Sequence, residues 1–325
     1  MNAQDEKMIY RLFLTAVEKQ VRSMMPAGYE VERGKALKNN SVELDTIVIR
    51  EHGEEVVPNI FLNSYFQSYI DGRSTEEISE EIIRVYLENR NRFDMERFGD
   101  CSLDFFRDRI FFKLISNDRN LELLEQLPHV KINNLVLIFA CLVEHSPEGI
   151  ASIRVDNALM RKWDTDVSTL FEIASENTVK LFPPKIFRLE NRNINLLLSH
   201  RLDDDAIEDL FVNDGAGEDP ENEPKKWIPE DIPSLFVLTN HSGVDGASCI
   251  VYDGLLERIK RRIGRGFYII PSSVHEVLIL PESDEFCKET LEDMVRDVNS
   301  TVLAEMDILS ENVYHYPEDS FTVSV

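Results

Sequence analysis

The stretch Phe267-Tyr268-Ile269-Ile270-Pro271-Ser272-Ser273-Val274-His275-Glu276-Val277-Leu278-Ile279-Leu280 decides the fold class. Two runs rich in β-branched, aromatic and aliphatic residues, 267–270 and 274–280, flank a Pro-Ser-Ser break. Proline lacks the N–H that a ladder needs, so the pattern predicts two short strands joined by a turn. Working outward, the same shape recurs. Residues 235–238 and 247–252 flank the polar stretch Asn240-His241-Ser242-Gly243-Val244-Asp245-Gly246. Residues 130–143 and 150–155 flank Ser146-Pro147-Glu148-Gly149. Between these pairs the apolar period changes to that of a helix. Strands grouped in pairs with intervening helices predict an α+β fold of antiparallel strand pairs with packed helices, not a doubly wound parallel sheet.

The helical segments carry their own signals. Over 5–24, Met8, Ile9, Leu12, Phe13, Ala16, Val17, Val21 and Met24 fall on one face, and Pro26 and Gly28 stop the run. Ser74-Thr75-Glu76-Glu77 is a capping box, opening a helix with Ile78, Ile82, Ile83, Tyr86 and Leu87 on one side. Residues 166–182 place Leu170, Ile173, Ala174, Asn177 and Leu181 together before Pro183-Pro184. A further helix is expected over 186–200, and another over 254–263 that ends at Gly264, a natural left-handed cap. A last helix aligns Leu291, Met294, Val295, Val298 and Val302. Gly149-Ile150-Ala151-Ser152-Ile153-Arg154-Val155-Asp156 echoes Gly246-Ala247-Ser248-Cys249-Ile250-Val251-Tyr252-Asp253, with Gly, Ile and Asp in register. This suggests two similar strand–turn–strand–helix units.

Composition bounds the function. The chain has 325 residues, with 35 Lys+Arg against 60 Asp+Glu, a net charge of −25. A hydrophobic fraction of 43% rules out disorder of the whole chain. Only 13 glycines and 4 cysteines exclude collagen-like and disulfide-scaffold classes. Cys101, Cys141, Cys249 and Cys287 lie far apart, as expected of reduced thiols in a cytoplasmic protein. The acidic start leads us to expect no secretory leader. The longest apolar run, 135–143, spans nine residues, far short of a membrane helix, so no membrane contact is expected. Acidity of this size opposes nucleic acid and favours a basic partner. From Asp203 to Asp231 twelve acidic residues stand against two lysines, a local charge of −10. This long acidic loop, 202–232, either lies within one unit spanning 1–325 or joins two lobes, 1–201 and 233–325.

The chemical candidates are few. Ser272, Ser273, His275 and Glu276 put hydroxyl, imidazole and carboxylate within five residues, the inventory of a serine-type hydrolase. If 274–280 is a strand, however, His275 and Glu276 diverge, and a tight turn satisfied by its hydroxyls is the plainer reading. Asn240 opens a glycine-containing stretch that would cradle phosphate ahead of a helix, but two flanking strands make it a hairpin loop. Arg258, Lys260, Arg261, Arg262 and Arg265 form a dense basic cluster suited to phosphate. A solvated helix face, or pairing with the acidic stretch, is the favoured explanation over phosphate or a nucleic-acid strand. No His-Glu-x-x-His, paired cysteine motif, Walker loop or dinucleotide fingerprint is present, so neither metal nor cofactor is expected.

Several segments together carry a resemblance: Lys38-Asn39-Asn40, Pro58-Asn59-Ile60-Phe61-Leu62-Asn63-Ser64-Tyr65-Phe66, Asn120-Leu121-Glu122-Leu123-Leu124 with Pro128-His129, the 267–276 stretch, and Met294-Val295-Arg296-Asp297-Val298-Asn299. In these the chain resembles an uncharacterised bacterial family, a domain of unknown function known mainly from anaerobic gut Clostridia. More loosely, its element order is similar to that of an uncharacterised family of Bacilli. Neither resemblance implies an activity or assigns a residue. The expectation is a soluble, cytoplasmic, non-enzymatic binding or interaction protein, with the hydrolase as the alternative.

Overall fold

The structure is a computed structural model that describes residues 3–52, 59–90, 102–146, 149–189, 210–211, 227, 234–317, 319 and 321. Its packing divides the chain into two units: 1–38 with 42–105, and 39–41 with 106–325. The fold is α+β, and among the described residues every strand pairing is antiparallel.

In the first unit, helix α1 (Ala3–Met24) leads to β1 (Tyr29–Leu37), β2 (Glu43–Glu51) and β3 (Ile60–Phe61), which form a sheet in sequence order. Helices α2 (Asn63–Ile70) and α3 (Thr75–Arg90) follow. The core joins Phe13, Val17 and Val21 of α1 to Ile47 and Ile49 of β2 and to Ile78, Ile82 and Tyr86 of α3. The capping box forms as expected. Glu77 N–H donates to Ser74 Oγ at 3.2 Å, and Ser74 N–H to Glu77 Oε2 at 2.9 Å. The apolar face of α1 is wider than its buried stripe, and Met8 and Leu12 stay exposed.

The second unit begins with the short helix α4 (Leu103–Phe106), whose last residue belongs to it, and β4 (Ile110–Ser116). Helix α5 (Leu121–Leu124), β5 (His129–Ile132), β6 (Leu135–Ser146) and β7 (Gly149–Arg154) complete its first sheet. The long strand β6 takes β4 on one edge, and on the other β5 and then β7 along its length. Helices α6 (Asn157–Lys162) and α7 (Val167–Leu181) follow. Helix α7 lies on β4 through polar as well as apolar groups. Asn177 Nδ2 donates to Ile110 O at 3.0 Å, and Phe112 N–H donates to Thr178 Oγ1 at 3.1 Å.

The second sheet of this unit has the order β12-β10-β11-β9-β8. Its strands are β8 (Pro184–Leu189), β9 (Leu235–Asn240), β10 (Phe267–Pro271), β11 (Val277–Pro281) and β12 (Tyr314–Tyr316). Helix α8 (Leu255–Ile263) precedes β10, and α9 (Lys288–Thr301) follows β11. Leu291 and Val295 of α9 pack with Val313, while Met294, Val298 and Val302 remain exposed. Gly264 caps α8 at φ 83, with its N–H on Lys260 O at 2.7 Å.

Two expectations need correction. The helix expected over 186–200 begins instead as strand β8, with 190–200 outside the described residues. Pro184 sits at the first strand position, where its missing N–H costs no interior ladder bond, and Ile186 and Phe187 are both buried. Residues 247–252 are not a strand, because Gly246–Val251 is a 3-10 helix. Asp245 enters it at φ 54, and Ser248 folds back on the Asp245 carbonyl through its N–H (3.2 Å) and its hydroxyl (2.7 Å). That local bonding takes the place of a ladder. The echo between 149–156 and 246–253 is therefore one of sequence without shared conformation. Among the described residues, paired strands followed by a helix recur as β2–β3–α2, β6–β7–α6 and β10–β11–α9. Among the described residues no helix is long and apolar enough to cross a membrane. Strands from either side of the acidic stretch, β8 and β9, pair directly.

Candidate functional site

The turn between β10 and β11 is built by its own hydroxyls. Ser273 N–H donates to Glu276 O at 3.1 Å. The fully buried Ser273 hydroxyl accepts the His275 N–H at 3.0 Å, and Ser272 Oγ donates to Glu276 Oε1 at 3.3 Å. Strand β11 starts at Val277, later than expected, so strand alternation does not govern His275 and Glu276.

The His275 ring points elsewhere. Its Nδ1 accepts the Asp245 N–H at 3.2 Å, which assigns the neutral proton to Nε2. Nε2 faces Asp307 Oδ1 at 3.6 Å, an ion-pair separation. Both ring nitrogens thus address groups other than the two serine hydroxyls. Burial disfavours the charged imidazole, yet Asp307, Asp245 and Glu276 outweigh it and hold the pKa above the ordinary histidine value. Asp245 also pairs with Lys113 at 2.8 Å.

Asn240 is buried at the end of β9 and organises the loop that follows. Its Nδ2 donates to Val244 O at 2.8 Å, and its Oδ1 accepts from Ser242 N–H (3.0 Å) and Ser242 Oγ (2.7 Å). The amide holds the loop's shape rather than facing outward. The loop leads into a 3-10 helix and not a second strand, so it is not a hairpin. Gly246 sits where a Cβ would lie 2.2 Å from Thr239 Oγ1 and 2.4 Å from His275 O. Only a glycine lets these backbones approach so closely.

Arg258, Lys260, Arg261 and Arg262 of the basic cluster lie on α8, Arg265 follows its Gly264 cap, and the arginines of the helix divide by position. Arg262 is buried, Arg258 lies over the Phe211 ring at 4.5 Å, and Arg261 is exposed. Trp227 N–H donates to Arg262 O at 3.1 Å, and the rings of Phe211 and Trp227 meet at 5.6 Å. Arg188 donates to Trp227 O. The described residues of the acidic stretch therefore meet the basic helix through rings and backbone. Its acidic residues lie outside the described residues.

The amino-terminal half of α8 borders a cleft of about 800 Å³. Phe112, Phe171, Val179, Tyr252, Tyr316 and Phe321 give it apolar walls drawn from β4, α7, β12 and the chain beyond. Its polar rim is Asp253, Glu257, Arg258 and Arg261. Glu257 accepts the Tyr316 hydroxyl at 3.0 Å. Tyr252 anchors the inner wall through its hydroxyl on Phe182 O at 2.9 Å, and burial drives its pKa upward. The structure thus brings Arg258 and Arg261 to one cleft and places Ser272, His275 and Asn240 elsewhere. The walls had no local signal, because they come from positions spread between 112 and 321. Among the described residues no group of three or more His, Cys, Asp and Glu is placed to hold a metal ion.

These features define an antiparallel α+β protein with a ring-lined cleft beside a basic helix. The chain belongs to a family of unknown function, DUF5688, whose model matches residues 10–318 and so runs through the acidic stretch. Neither a curated protein nor a solved structure matches it.

Proposed function

We propose that the chain is a non-enzymatic binding protein whose ligand occupies the cleft beside α8. The carrying observation is the cleft itself. A volume of about 800 Å³ falls in the range of roughly 300–1,000 Å³ typical of small-molecule sites, and apolar walls with a few polar groups at the rim are their usual make-up. The setting we infer is the bacterial cytoplasm, supported by the resemblance and by the buried cysteines Cys141 and Cys249, neither of which is in a disulfide.

The serine-type hydrolase draws less support. Its serine hydroxyls serve the turn, and its imidazole serves Asp245 and Asp307. A fluorophosphonate probe is expected to leave Ser272 and Ser273 unlabelled, and labelling lost in Ser272→Ala or Ser273→Ala would restore the hydrolase. A basic protein docked on the acidic stretch also draws less support, since Phe211 and Trp227 of that stretch pack against the chain's own basic helix.

The direct test is titration with N-phenyl-1-naphthylamine, an uncharged fluorophore. The expected result is saturable enhancement with a blue shift, weakened by Val179→Trp, which narrows the cleft from an exposed helix position. Absence of saturable binding, or binding indifferent to Val179→Trp, contradicts the proposal.

A further inference from the structure

The rim chemistry narrows the ligand, in an inference that rests on the cleft reading. We propose that the cleft takes an aromatic molecule bearing a single compact oxyanion, a carboxylate or sulfonate. Five rings, those of Phe112, Phe171, Tyr252, Tyr316 and Phe321, line the cleft beside aliphatic side chains such as Ile250 and Leu256. Phe112 pairs with Phe171 at 6.5 Å in stacked orientation and with Tyr252 at 6.1 Å edge-on, so a flat ring entering the cleft extends an existing cluster.

The anionic group is recognised by α8. Arg258 and Arg261 are three residues apart and share one helix face. Arg258 is pre-oriented by the Phe211 ring beneath it. A guanidinium presents a planar fork matched to a two-oxygen anion. The amino terminus of α8 lies in the same cleft, and Gly254, its N-cap, supplies no side-chain cap, so the positive end of the helix dipole adds to the two guanidiniums. Asp253 and Glu257 set the limit on charge. Both line the rim, and a polyphosphate would meet two carboxylates, whereas one compact oxyanion sits against the arginines alone. Glu257 is in addition held by the Tyr316 hydroxyl. The net charge of −25 weakens long-range attraction, but screening confines that effect within about 8–10 Å at ordinary salt.

The test compares 1-anilinonaphthalene-8-sulfonate with N-phenyl-1-naphthylamine, which shares its rings and lacks the sulfonate. The full chain is expected to bind the sulfonate about tenfold more tightly. The difference is expected to shrink in Arg261→Gln, at an exposed position, and in about 1 M salt, where the screening length is about 3 Å. Val179→Trp is expected to weaken binding of both probes. Naphthalene-2-carboxylate is expected to displace the sulfonate better than decanoate does. Equal affinity for both probes, or sulfonate binding unchanged in Arg261→Gln, overturns the anion assignment while leaving the cleft standing. Better displacement by decanoate overturns the aromatic assignment. Failure of both probes to bind overturns the cleft and this inference together.

Discussion

Asn40 and Asn120 are paired amide to backbone and amide to amide inside the second unit. The Asn40 N–H donates to Asn120 Oδ1 at 2.7 Å, and Asn120 Nδ2 donates to Asn40 Oδ1 at 3.0 Å. Both residues are buried, and Asn40 holds a left-handed backbone, φ 59 and ψ 34, which asparagine tolerates better than most residues. The remaining donors are spent as well. Asn40 Nδ2 reaches Glu305 O (2.6 Å) and Ile308 O (2.7 Å), and Asn120 Nδ2 reaches Ser116 O (2.8 Å). Buried polar groups left unpaired cost about 1–3 kcal/mol each. Asn120→Ala strands the Asn40 N–H and the Ser116 carbonyl, so chemical denaturation is expected to show a loss of roughly 2–4 kcal/mol.

The same carbonyl-rich segment carries Asp307, whose main-chain O accepts the Val274 N–H at 2.9 Å while its carboxylate faces His275. The His275 pKa is raised in the folded chain, so the stability it contributes is complete below the unfolded value of about 6.5 and is lost as pH rises through the folded value. The expected result by NMR titration is an apparent pKa above the ordinary histidine range. In Asp307→Asn it is expected to fall, because burial, the largest influence, then meets less opposition. The stability gap between the parent chain and His275→Gln is expected to be wider at about pH 5.5 than at about pH 8.5.

Gly246→Ala tests the close approach of three chain segments. The added methyl meets Thr239 Oγ1, His275 O and Asn240 N, two of them backbone atoms that cannot swing aside. Overpacking of this kind costs about 1–3 kcal/mol, read as a lowered denaturation midpoint. Gly243→Ala is a control for space, since nothing lies within 4 Å of its Cβ position, although its φ of +67 adds backbone strain of its own.

What the sequence shows of this fold divides along physical lines. Signals carried by neighbouring residues were legible: the Ser74–Glu77 box, the Gly264 cap, and Asn177 on the buried face of α7, whereas Pro271 is still paired in β10 and the break follows it. Buried apolar runs were not. Ala247, Cys249 and Ile250 read equally as strand or helix, and a hydroxyl folding back at Ser248 decided between them. Residues 186–189 failed for the same reason, since two buried apolar side chains there suit a helix as well as an inner strand. The site was legible only in part. Arg258 and Arg261 stood out as a local cluster, but the walls facing them come from residues far apart in the chain. Asp307, which sets the His275 environment, lies 32 positions from it and belongs to no motif.

The measurement that bears most directly on the central claim is backbone amide shift mapping of the full chain titrated with N-phenyl-1-naphthylamine. The account predicts saturable shifts concentrated in 251–261 and 171–179, with little change around 272–276. Shifts centred on Ser272 and His275, or no saturable shifts at all, would contradict it.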